Sequence, residues 1–356
     1  MDLSLAFSFI QLQLSTVLLS PGSSFSLVSL ACALLFSVAF LGFGRLRRNG
    51  RIPMKVMMRA LFPRRIVTNS SNLVDLGYLG FYVFLYGILF GWAVLSFQFL
   101  TNAIIDLLVA VFGPVKPSSL PELVSRSVIT VMLFLAYELG YWINHSLSHR
   151  VPFMWELHKV HHSATVLTPM TNFRVHPGDT LIFSNILAIT AAIANGVGHY
   201  IFGETTALYA LSGTNVILVL FIYTYVHLQH SHVWIPLRGS LGRLFMSPAH
   251  HQIHHSSNPI HFNKNLGSCL AVWDWMFGTL YVPEKTREKL SFGVEPDRQE
   301  AHTLRGEFFI PFYRAAACLL PKKLLARLWG GAPAPADAEP APARLAARRP
   351  FEVLQQ

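Results

Sequence analysis

Between Glu138 and His162 the chain reads ELGYWINHSLSHRVPFMWELHKVHH, and five histidines in it are spaced for a helix face. His145 and His149 stand four apart, and His158, His161 and His162 follow at i, i+3 and i+4, so each set spans about one 5.4 Å turn. A second i, i+3, i+4 triplet, His251, His254 and His255, recurs in HQIHH. Neutral imidazoles packed this way would each need a donor or acceptor of its own, and protonated ones would repel. Recurrence of the spacing therefore points to metal ligation rather than to ordinary core histidines. The fold has to deliver both clusters to one place.

Composition says in what medium. The chain is 52% hydrophobic and only 13% charged, with mean hydropathy +0.42, which is the balance of a membrane protein rather than a soluble domain. A net charge of +10 would suit nucleic acid, but the basic residues stand beside apolar runs and no nucleic-acid motif is present. Cys32, Cys269 and Cys318 are far apart without a CxxC pair, so neither a disulfide framework nor a cysteine metal site is expected. Residues 3–19 lack the basic region and cleavage site of a signal peptide and are expected in or on the bilayer.

Residues 25–43 form an uncharged run long enough for a membrane of roughly 30 Å. Arg45, Arg47, Arg48, Arg51, Lys55, Arg59, Arg64 and Arg65 follow without an acid, which assigns their loop to the cytoplasmic side. Residues 77–100 cross outward, residues 101–122 make a far-side connection or re-entrant piece, and residues 127–143 return into the first histidine pair. Residues 180–202 and 206–226 read as an antiparallel hairpin, which lands the second histidine region on the same side as the first. Residues 308–329 suit either an interfacial amphipathic helix or ordinary packing. The expected fold is all-α: a polytopic transmembrane helical bundle with a cytoplasmic-face helical cap carrying a histidine-rich di-metal site. Its divisions are an N-terminal membrane segment and basic loop (1–68), a catalytic domain (69–284), a cytoplasmic or interfacial extension (285–329) and a disordered Ala/Pro-rich tail (330–356).

Imidazole suits iron, zinc and copper, so ligand type does not name the metal. Eight or more clustered histidines exceed a mononuclear zinc site and favour two metals. No HExxH is present to supply a zinc protease. The ordered motifs are HxxxH in YWINHSLSH, HxxHH in WELHKVHHS, then TNFRVHP, LQHSH, a second HxxHH in AHHQIHHS, and NKNLGSCLAVWDWMFGT. In these the sequence resembles the fatty acid hydroxylase superfamily, or sterol desaturase family, of membrane di-iron oxygenases, over roughly residues 69–284.

The resemblance implies two Fe ions held by His145, His149, His158, His161, His162, His230, His251, His254 and His255. His227 is a further candidate and His176 and His232 weaker ones, while His250 competes with His251 without matching the spacing. Glu138, seven residues before His145 on the same helix face, and Asp274 are the carboxylates expected to hold the free ring nitrogen of a ligating histidine. For Asp274 the alternative is a structural bond within its own turn, and for Glu138 hydration near the interface. Arg174 is expected either to pair with a carboxylate or lipid headgroup or to be a plain charge.

The implied activity is O2-dependent hydroxylation of a C–H bond in a sterol, fatty acyl chain or related lipid, with desaturation as the alternative at the same site. A membrane metal transporter is the alternative from another class, though ligands at helix ends on one side argue against it. His176-Pro177-Gly178-Asp179 resembles the HPGG haem motif but lies directly before an apolar span, and no GxGxxG is present. Electrons are therefore expected from NAD(P)H through a separate cytochrome b5-like or ferredoxin/reductase partner.

Overall fold

The computed structural model describes residues 3–49, 53–115, 118–203, 208–294, 303–321 and 324. It is built mainly from helices. In order they are α1 (Leu3–Leu18), α2 (Leu27–Asn49), α3 (Met54–Leu61), α4 (Arg64–Val67), α5 (Ser71–Phe81), α6 (Gly87–Phe90), α7 (Phe97–Phe112), α8 (Glu122–Arg150), α9 (Pro152–His162) and α10 (Pro177–Phe202). A two-residue hairpin, β1 (Ala210–Leu211) with β2 (Thr214–Asn215), precedes α11 (Val216–Phe221), a π-helical turn (Ile222–Val226) and α12 (His227–Gln229). Then come α13 (Gly239–Leu244), α14 (Pro248–His254), α15 (Val272–Met276) and α16 (Leu304–Leu319).

Among the described residues, three helical stretches are long and apolar enough to cross a membrane: Ser71–Phe112, Glu122–Arg150 and Pro177–Phe202. Their outward side chains are apolar, as lipid-facing helices require, with Leu73, Phe99 and Phe112 about 70% exposed. The spans meet closely because glycines stand at the crossings. A Cβ on Gly140 would strike Thr190 on α10, and one on Gly196 would come within 2.6 Å of Ile104 on α7. Bringing α10 against α8 sets the start of α10 beside the histidine-bearing end of α8, where the Ser148 hydroxyl donates to Asp179 at 3.3 Å.

Several segments differ from the sequence expectation. Residues 101–122 were expected to form a far-side connection or re-entrant piece, yet α7 continues to Phe112: Ser96 caps its start and no proline interrupts residues 97–112. Residues 206–226 were expected as a full span, but residues 204–207 lie outside the described residues and 210–215 form the hairpin. The apolar helix that follows is only Val216–Gln229. Ser212 and Gly213, both at positive φ, make that turn, and Asn215 caps α11. The basic segment is not a plain loop, since α2 runs to Asn49 and α3 and α4 follow. In α16, Gly306, Glu307, Pro311 and Ala315 are buried, which is ordinary packing. Lys322, Lys323, Arg327 and the tail from 330 lie outside the described residues.

Candidate metal centre

Local sequence sets the histidine helices. Pro152 disfavours helical backbone at Val151, so α8 stops at Arg150 and α9 restarts with proline at its first position. His145 and His149 thus end one helix, and His158, His161 and His162 end the next. α14 starts on Ser247, which accepts from His250 N–H while the His250 Nδ1 accepts from Ser247 N–H. That capping box, with His250 Nε2 on the Gly242 carbonyl at 3.0 Å, uses up His250 and turns His251, His254 and His255 to the interior.

The nine expected histidines fall into two buried groups whose ring nitrogens lie within 4.8 Å of one another: His145, His149, His158, His162 and His254, and then His161, His230, His251 and His255. In the first group all five Nε2 atoms are buried without a hydrogen-bond partner. Three of those rings have a fixed tautomer. His145 Nδ1–H donates to the Leu266 carbonyl at 2.7 Å, His158 Nδ1–H to Asp179 at 2.8 Å, and His254 Nδ1–H to the Lys264 carbonyl at 2.9 Å. Each of those Nε2 atoms is then a bare lone pair facing the others, an arrangement that a cation satisfies and that leaves an unpaired buried acceptor at every ring without one.

In the second group Nε2 of His230 is 3.1 Å from that of His161, 3.1 Å from His255 and 3.0 Å from His251, and His251 and His255 are 3.1 Å apart. Imidazole–metal bonds of roughly 2.0–2.1 Å put neighbouring nitrogens roughly 3 Å apart. His161 donates Nδ1–H to the Arg174 carbonyl at 3.2 Å, so its Nε2 too has only a lone pair to offer. The donor set fits a metal in both groups. Burial, then the neighbouring histidines, lowers the pKa of His161, His162, His251 and His255 well below the ordinary imidazole value. Burial likewise pushes His230 and His254 down to about 3. Neutral rings are the form that ligates.

The two expected carboxylates are buried, but among the described residues neither hydrogen-bonds a histidine ring. Glu138 Oε2 accepts from the backbone N–H of Cys269 at 3.0 Å and Leu270 at 2.7 Å. Asp274 accepts from Leu266 N–H at 2.8 Å, Gly267 N–H at 2.7 Å and the Thr279 hydroxyl. The reason lies in the turn at 266–270, whose buried amides need acceptors that the helices do not supply. Both side chains thereby hold the segment whose Leu266 carbonyl orients His145. The ring partner that sequence reasoning missed is Asp179, in the first turn of α10; its signal was an unpaired acid opening an apolar span.

His227, His176 and His232 stay outside both groups. The first bonds Ser29 Oγ at 3.1 Å, the second caps Gly178 and meets the Phe308 carbonyl, and the third meets the Ala60 carbonyl. Arg174 is fully buried, paired with Asp75 on α5 at 3.2 Å and Glu307 on α16 at 2.8 Å. Its guanidinium braces the chain whose carbonyl orients His161.

Residues 130–279, which include all nine histidines, match the family model described as fatty acid hydroxylase. Curated relatives include alkylglycerol monooxygenase of Danio rerio, 27% identical over 163 residues, covering 46% of this chain and 32% of that protein. That of Homo sapiens is 28% identical over 178 residues, covering 48% and 36%. Ornithine lipid hydroxylase OlsE of Rhizobium tropici is 29% identical over 150 residues, covering 42% and 40%. The match spans about a third of the length of the alkylglycerol monooxygenases. No solved structure matches.

Proposed function

We propose that this chain, a member of the fatty acid hydroxylase superfamily, is a di-iron membrane oxygenase that hydroxylates a C–H bond of a lipid. The carrying observation is the pair of buried histidine groups whose ring nitrogens converge, with every Nε2 of the first group lacking a hydrogen-bond partner. His145, His149, His158, His162 and His254 would hold one iron, and His161, His230, His251 and His255 the other, with Glu138 and Asp274 as positioning carboxylates. Bound there, the two irons would supply reductive O2 activation. The balance is R–H + O2 + 2 e⁻ + 2 H⁺ → R–OH + H2O, the electrons coming from NAD(P)H through a separate cytochrome b5-like or ferredoxin-type donor.

The protein's own part is to admit lipid, orient it and keep bulk water away. A cavity of about 310 Å³ reaches His230, and its lining includes the apolar Leu218, Ile222 and Val226 together with Tyr137 and Tyr141. Tyr141 stands edge-on to His145 at 5.5 Å between ring centres, so a chain lying in the cavity would pass beside both groups. Gln229, which also lines it, is held through its amide by the Ser268 carbonyl at 2.8 Å. Lipids stand in the names of the relatives, alkylglycerol in one and ornithine lipid in the other, which supports lipid as the substrate class. The acid-free run of basic residues from Arg45 to Arg65 supports a multi-pass arrangement with the site on the cytoplasmic face.

The test is metal analysis of the purified protein together with lipid extracts made with and without the gene under 18O2. Two irons per chain and a lipid product carrying one 18O atom are expected. One zinc per chain with iron-independent activity would sink the oxygenase reading, and a product two hydrogens lighter without 18O would replace hydroxylation by desaturation.

A further inference from the structure

A second cleft, of about 380 Å³, borders the same stretch of chain: His230 lines the first cavity, while Ser231 and His232 line this one. Its wall carries Arg65 and Arg287, and none of its lining residues is acidic. Among the described residues neither arginine lies within ion-pair distance of a carboxylate, whereas Glu288, next to Arg287, is engaged with His261 at 3.2 Å. Burial and the charge of Arg65 lower the pKa of Arg287, as two uncompensated cations facing one space should. Asn69 adds a neutral donor. Its amide oxygen accepts from Ser71 N–H at 2.9 Å and the Thr165 hydroxyl at 3.3 Å, which leaves the NH2 as the group it can offer to the cleft. Two guanidinium groups and an amide around an open cleft are the donor set that binds a phosphate or other oxyanion.

The surroundings favour a lipid as its bearer. The cleft opens two residues before the apolar stretch Ser71–Phe112. α3 is tied to its wall where His232 Nε2–H meets the Ala60 carbonyl at 2.6 Å. On α3 and just after it Met54, Met58 and Phe62 are exposed beside Lys55 and Arg59, the pattern of a helix lying at a headgroup boundary. Leu290 and Phe292 extend the apolar lining.

We propose that this cleft is a docking site for the phosphate of an anionic lipid. It stands apart from the two histidine groups and does not depend on which metal they hold.

The full chain in a maltoside detergent would be titrated with dihexanoyl phosphatidic acid, dihexanoylglycerol and inorganic phosphate. Saturable binding of the phosphatidic acid is expected, stronger than for either other probe. R65Q and R287Q should each weaken it by about tenfold or more, the size of a lost charge-assisted hydrogen bond. R64Q, which alters an exposed neighbouring arginine outside the cleft, should bind as the wild type does. Should a glutamine variant not fold, the lysine replacement serves, with weaker binding expected because an ammonium cannot grip bidentately. Equal binding of dihexanoylglycerol would leave only an apolar groove, and equal binding of inorganic phosphate would make it a free-anion site. Either result overturns the proposal, as do unchanged affinity in R65Q and R287Q or an equal loss in R64Q.

Discussion

At the scale of single residues, the chemistry is divided between rings that face inward and the atoms behind them that hold each ring. Spacing made eight of the inward rings legible, because i, i+3 and i+4 state which side chains share a helix face whatever the tertiary fold, whereas His230 was legible only through the family resemblance. The holding atoms were not legible, because three of the four are backbone carbonyls, of Leu266, Lys264 and Arg174, and a carbonyl carries no residue signature. Asp179 is the exception, and it can be tested. Its Oδ2 takes the Nδ1–H of His158 at 2.8 Å, and Asp179→Asn keeps the shape while removing the charge that raises the ring's basicity. Metal affinity should fall by about 10- to 100-fold, as for other partners of metal-bound histidines. Metal per chain after dialysis against a graded chelator measures this, and full retention in the variant would remove Asp179 from the site.

At the scale of elements, apolar length was readable and context was not. The runs at 127–143 and 180–202 lie inside α8 and α10, whose lengths are set by uninterrupted apolar sequence. The run at 206–226 is broken because Ser212-Gly213 turns the chain into a hairpin, a local choice that a hydropathy window averages away. α16 was ambiguous for a different reason: its role depends on Arg174, far away in sequence. Glu307 reaches across to the Arg174 guanidinium and the Ser163 hydroxyl, and its carbonyl accepts from Tyr78 at 2.9 Å. The element beyond the family match therefore clamps α9 and the chain below His161. Replacing Glu307 with Ala leaves a buried cation short of one partner, which costs about 3–5 kcal/mol when such a pair is broken. The expected outcome is a lower melting temperature together with reduced metal content. A variant that melts as the wild type does would show that Asp75 alone suffices for Arg174.

At the scale of the whole molecule, the histidine groups make stability a function of pH. In the metal-free protein His230 and His254 have pKa values of about 3 against an ordinary 6.5, and those of His161, His162, His251 and His255 are lowered in the same direction by burial. The unfolded chain therefore takes up protons below 6.5 that the folded chain refuses. Their contribution to stability is fully present above 6.5 and is lost as pH falls toward 3, by up to about 1.4 kcal/mol per group for each pH unit. Asp274 works in the opposite sense, since burial raises its pKa, and offsets part of this loss. The melting temperature of metal-free protein should thus be flat from pH 8 to 7 and fall steeply from pH 6.5 to 5. Metal-loaded protein should hold its melting temperature to lower pH, because ligation needs the same neutral rings and adds binding free energy to the folded state alone. Melting curves of both forms across that range decide it: a metal-free protein as stable at pH 5 as at pH 7.5 would mean that the rings are not held neutral by burial.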